Sequence, residues 1–159
     1  MSVRPDLLVL AADLDMHLSR VRKEVISIDG LVSVTNMEDH TLWALAGHLQ
    51  AFYTGCETVI SRALEKFDGL PDEGPDSHVR LLQQAALDIP GLRPPVLSTE
   101  TAEALHPYRA FRHFFRHAYG VELVWEKMET KARSAATVFA QLEQDIRRFA
   151  GFLRTAANS

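Results

Sequence analysis

Leu7, Leu10, Leu14, Leu18, Val21, Val25 and Ile28 recur at steps of three and four, the period of one helical face rather than the alternation of a strand. Pro5 suits the first turn of that helix, where a missing N–H goes unused, and Asp29-Gly30 predicts its end. Leu42, Leu45, Leu49, Phe52, Cys56, Ile60, Leu64 and Phe67 repeat the pattern up to Asp68-Gly69. Met128, Ala132, Ala135, Phe139, Leu142, Ile146, Phe149 and Leu153 carry it through a long last helix, over 123–156. Two shorter helices fit between. Asp76 or Ser77 can cap one that runs through about Asp88, and Ser98 or Thr99 can cap the segment leading into the next. Pro107 is best tolerated in a first turn, so a restart at His106-Pro107 is expected.

The connections are equally marked. Residues 69–76 and the run Ile89-Pro90-Gly91-Leu92-Arg93-Pro94-Pro95-Val96 carry too much Gly and Pro for helix, and the second reads as an ordered crossing loop. Leu31 to Thr35 is the one stretch with strand character, and a lone strand has no partner. The prediction is an all-α fold: a single domain over 1–159, an up-and-down bundle of about five helices, with the Pro-rich loop between the third and fourth.

Composition narrows what such a bundle does. At 159 residues and 47% hydrophobic, the chain can bury a real core. A formal net charge of −4 excludes a generic polyanion binder, so any nucleic-acid contact needs a local patch. No apolar run approaches the length of a membrane span, and Met1 to Asp6 lacks the apolar stretch of a signal peptide. Cys56 has no second cysteine to pair with, and its place in an apolar stripe reads as core. A cytoplasmic setting is expected.

The local patch is Arg109 to Tyr119. On a helix, Phe111, Phe114, Phe115 and Ala118 fall on one side, as core or interface packing. Arg109, Arg112, His113, Arg116, His117 and Tyr119 fall on the other, with His106 one turn earlier and no acid between His106 and Gly120. Guanidinium forks suit an anionic ligand, and imidazole moves protons near neutral pH.

The spacing Arg112-x4-His117-x-Tyr119, with the polar His113 after the arginine, resembles the HEPN superfamily and, more closely, its HepT-type toxin-like branch. The helix 42–67, the loop Ile89 to Pro94 and the run Tyr108 to Met128 look like that branch too. The resemblance implies metal-independent RNA cleavage by a homodimer whose protomers lend their Arg and His to one composite cleft. It also implies a nucleotidyltransferase-fold antitoxin, which in that branch can add AMP to the motif tyrosine, here Tyr119. No cofactor and no metal ligand is called for. Arg112 and His117 are then the catalytic pair, with Arg112 on the phosphate and His117 as general acid/base. His113, Arg109, Arg116 and Tyr119 support the substrate.

Blander roles stand beside these. Arg112 can pair with Glu122 or Glu126, His117 can be an interior histidine, and Tyr119 can simply cap the core. His40, His48 and His78 have no motif and read as structural. Two further functions fit the residues. One is a non-catalytic HEPN module that binds a nucleotide or a nucleotidyltransferase partner. The other is a metal-binding bundle of the DinB-like type, with His48 joining the i,i+4 pair His113 and His117. The arginines around that pair would crowd a dication.

Overall fold

The computed structural model describes residues 2–34, 37–117, 120 and 122–159. Five helices follow in order: α1 (Pro5–Val32), α2 (Asp39–Glu65), α3 (Ser77–Ala85), α4 (Thr99–His117) and α5 (Trp125–Ala157). The fold is the expected all-α bundle, and extended structure among the described residues is limited to one isolated bridge between Ile89 and Arg93. The three long helices carry the three periodic runs. Their buried faces meet in a core that includes Leu14, Ile28, Leu45, Phe52, Ile60, Leu142, Ile146 and Phe149. α1 packs on both α2 and α5, and α4 lies against α2 and α5. The α1–α2 crossing is close at Gly55, where a Cβ would meet Val21 Cγ2 at 2.8 Å.

Several boundaries move for physical reasons. Gly30 does not end α1, which runs on to Val32 and so absorbs the start of the expected extended stretch. Glycine costs a helix interior about 1 kcal/mol relative to alanine. Here Ile28 is buried, and Leu31 and Val32 pack on the core, which outweighs that cost. Thr35, the other end of that stretch, lies outside the described residues.

α3 ends at Ala85 rather than Asp88, because the loop takes its last carbonyls. Val96 and Leu97 donate backbone N–H to the Ala85 carbonyl at 2.9 and 3.0 Å. Arg93 Nη2 donates to the Gln84 carbonyl at 3.1 Å. α4 does not restart at Pro107, which sits inside a continuous helix. The carbonyl that proline leaves unpaired belongs to Glu103, and both residues are solvent-exposed, so water can satisfy it.

The Pro-rich loop is built around one buried cation. The Arg93 side chain has no solvent exposure and forks onto Asp68, with Nε to Oδ1 at 2.7 Å and Nη2 to Oδ2 at 2.8 Å. Its Nη1 donates to the Leu87 and Pro94 carbonyls. Gly91 turns the loop at φ 83°, a left-handed conformation that a side chain would strain. No helix among the described residues is long and apolar enough to cross a membrane.

Candidate functional site

α4 presents the site, and contacts at its start and in its middle set its rotation. At its start, the Ser98 hydroxyl accepts the Thr101 N–H at 3.2 Å, as a capping residue should. The buried Asp145 of α5 accepts the Ser98 N–H at 2.9 Å, which ties that cap to the bundle. In its middle, Tyr108 donates its hydroxyl to the Lys131 carbonyl at 2.8 Å and packs edge-on against Phe52, ring centroids 5.1 Å apart. With Leu105, Tyr108 and Phe111 inward, the basic residues must face out, toward α3 and the 69–76 loop.

They frame one hollow. Arg109, Arg112, His113, Arg116 and His117 line it together with His78 of α3 and Pro75, around about 80 Å³. Arg112 and His117 point about 140° apart on an ideal helix. Both line the same depression within a single chain. None of the described lining side chains is acidic.

Each group is held differently. Arg112 is half-buried, and its Nε donates to the Thr54 hydroxyl of α2 at 2.9 Å. It pairs with neither Glu122 nor Glu126. Arg109 Nε is buried without a hydrogen-bond partner. His117 is exposed, and its Nδ1 lies 2.8 Å from the His113 carbonyl. A carbonyl only accepts, so Nδ1 carries the proton and Nε2 keeps its lone pair in the neutral ring. The His113 and His117 rings are 4.4 Å apart and tilted by 35°. Tyr119 and Ala118 lie outside the described residues, as does any role for Tyr119.

The structure adds three residues that sequence spacing missed. His78, expected to be purely structural, lines the hollow. Its Nδ1 sits 2.8 Å from Glu57 Oε2 and 3.0 Å from Oε1. Thr54 holds Arg112. Their positions on α2 and α3 carry no local motif; only the way α4 packs brings them to it. His48, by contrast, pairs with Glu24 of α1 at 2.7 Å and does not line the hollow. Among the described residues, no three His, Cys, Asp or Glu side chains gather as a metal site, so the geometry does not assemble His48, His113 and His117.

Two buried groups of α2 are excluded as nucleophiles. Burial pushes the Tyr53 phenol well above its usual range, and the neighbouring Glu57 carboxylate adds to the rise. Burial does the same to the Cys56 thiol. Neither ionises near neutrality.

The opposite side of α4 is apolar and open. Phe114, expected to pack as core or interface, is 45% exposed. It lines a groove of about 410 Å³ with Pro107, Ala110, Phe111, Leu123 and Met128. Trp43, also 45% exposed, packs on Phe115 with centroids 5.8 Å apart.

No curated protein and no solved structure matches the chain. A family model does. The model described as HepT-like protein matches residues 44–153, which takes in α3, α4, the Pro-rich loop and every described residue that lines the hollow. That match covers more than half of the sequence, and the chain belongs to the HepT-like family, with a HepT-type, HEPN-like helical domain.

Proposed function

We propose that the protein is a metal-independent endoribonuclease of a toxin–antitoxin type. The observation that carries this is the convergence of Arg112 and His117 on one hollow, with the His117 tautomer set by the His113 carbonyl. In RNA the 2′-oxygen attacks the adjacent phosphorus and the 5′-oxygen leaves, a route closed to DNA. Arg112 holds the phosphate and stabilises its developing charge. His117 moves a proton at one of the two oxygens. His113 supports His117, while Arg109 and Arg116 track the backbone on either side.

The size of the hollow favours a phosphate within a longer chain over a free nucleotide. Its volume, about 80 Å³, falls far below the roughly 300–1,000 Å³ of pockets that enclose small molecules. This weighs against a non-catalytic nucleotide-binding module. The exposed Phe114 and Trp43 support assembly as a homodimer. A nucleotidyltransferase-fold antitoxin that places AMP on Tyr119 would introduce an anion close to Arg112 and His117 and silence them.

The test is cleavage of total RNA in EDTA by the wild type, Arg112→Ala and His117→Ala. Wild-type cleavage that falls about 10²–10⁴-fold in each variant is expected. Equal cleavage by all three removes these roles, and no cleavage by any returns the binding module. Light scattering should give twice the 17.8 kDa of one chain. A monomer at micromolar concentration overturns the homodimer.

A further inference from the structure

We infer that His78 is a second proton-transfer residue of the proposed ribonuclease and that Glu57 positions it. The inference rests on that ribonuclease reading and deepens it. Cleavage by the 2′-oxygen needs two proton transfers: one group takes the 2′-hydroxyl proton and another gives a proton to the departing 5′-oxygen. The Arg–His spacing supplies one histidine for this purpose. The hollow holds another, from a different helix, facing the same space.

The hydrogen bonds suit His78 to the task. A carboxylate only accepts, so Glu57 fixes the His78 proton on Nδ1 and leaves Nε2 with its lone pair. When Nε2 takes a proton, the carboxylate behind the ring stabilises the imidazolium that forms. Nothing comparable backs His117, whose Nδ1 rests on a neutral carbonyl. The structure therefore assigns His78 to accept the 2′-hydroxyl proton, which leaves His117 to give one to the 5′-oxygen. The 2′-oxygen–phosphorus bond forms as the phosphorus–5′-oxygen bond breaks. The products are a 2′,3′-cyclic phosphate and a 5′-hydroxyl, with one proton gained by His78 and one lost by His117. No metal, oxidant or further reactant is needed.

Among the described residues, the charged and titratable groups placed around His78 lie on three helices. Glu57 faces it from α2. Arg109, Arg112, His113, Arg116 and His117 share the hollow from α4, and Arg80 lies on its own helix. Tyr53, close to Glu57, stays a neutral phenol.

The experiment follows cleavage of a defined RNA oligonucleotide by the full chain in EDTA, as a function of pH, for the wild type, His78→Ala, His78→Gln, Glu57→Gln and His117→Ala. The wild type should give a bell-shaped profile. His78→Ala should cleave about 10²-fold more slowly, lose the rise on the acid side, and recover with added imidazole. Glu57→Gln should slow cleavage less and move that acid limb, because an amide no longer stabilises the imidazolium. Melting temperatures near the wild-type value separate these losses from unfolding, and His78→Gln keeps the side chain's bulk. His78 variants that cleave at the wild-type rate, or that slow with the whole bell intact and no imidazole rescue, overturn the role of His78 while leaving His117 in place. A wild type that does not cleave, or that His117→Ala matches, overturns the ribonuclease reading and this inference with it.

Discussion

Arg93 and Arg112 are the same side chain put to opposite uses. Arg93 is sealed, with Asp68 on its fork and carbonyls of Gln84, Leu87 and Pro94 on the remaining N–H groups. Arg112 keeps one neutral contact, the Thr54 hydroxyl, and turns the rest of its fork to the hollow. A saturated arginine has no donors left for a ligand. An arginine held by its Nε alone keeps both terminal nitrogens for one. The carboxylates of the molecule follow the same division. Asp68 neutralises Arg93 and Glu57 backs a histidine, while the basic face of α4 lines its hollow without an acid among the described residues.

The largest effect expected from this contrast is on stability. Arg93→Met removes the partner of Asp68 and three carbonyls at once. Breaking a buried ion pair from one side typically costs about 3–5 kcal/mol. Urea denaturation should show that loss, while the folded fraction keeps the RNA cleavage of the wild type. A loss under 1 kcal/mol would mean the loop does not depend on Arg93.

The same pair gives a pH dependence. Burial alone would raise the Asp68 carboxyl, but the hydrogen bonds from Arg93 and Gln84 outweigh it and hold it below its ordinary value. A carboxyl depressed in the folded state stabilises the fold above its unfolded value. That contribution is lost as the pH falls through about 4 and below. Thermal melts between neutrality and pH 3 should therefore fall less steeply for Asp68→Asn than for the wild type, from a lower starting point. Parallel curves would place the acid sensitivity elsewhere.

The two arginines also show what the sequence made legible. The period of the apolar residues was enough for α1, α2 and α5, because each buries one continuous stripe. The basic face of α4 followed from the same geometry, since Arg109, Arg112, His113, Arg116 and His117 lie within one arc of a single helix. What escaped were contacts between elements. Nothing local distinguishes Arg93 as buried, because its partner Asp68 is distant in the chain and marked only a helix end. His78, Glu57 and Thr54 join the hollow through the packing of α2 and α3 against α4. Gly30 and Pro107 misled for a related reason: both obey local rules that packing and solvent override. Phe114 shared the apolar side of α4 with Phe111 but came to rest in an open groove, because helical phase fixes direction and not what covers a face.

The smallest expected effect tests how lightly Arg112 is held. Thr54→Val keeps the shape of the side chain and removes the hydroxyl that accepts from Arg112 Nε. Thr54 is exposed, so water can replace the lost acceptor and the fold should melt as before. One neutral hydrogen bond contributes about 0.5–1.5 kcal/mol, and solvent reduces that here. Cleavage should slow only a few-fold, with the pH profile unmoved, since no titrating group has changed. A loss as large as that of Arg112→Ala would mean that the guanidinium has no useful orientation without Thr54. Arg112 would then resemble Arg93 after all, its geometry dictated by protein contacts rather than left open for a ligand.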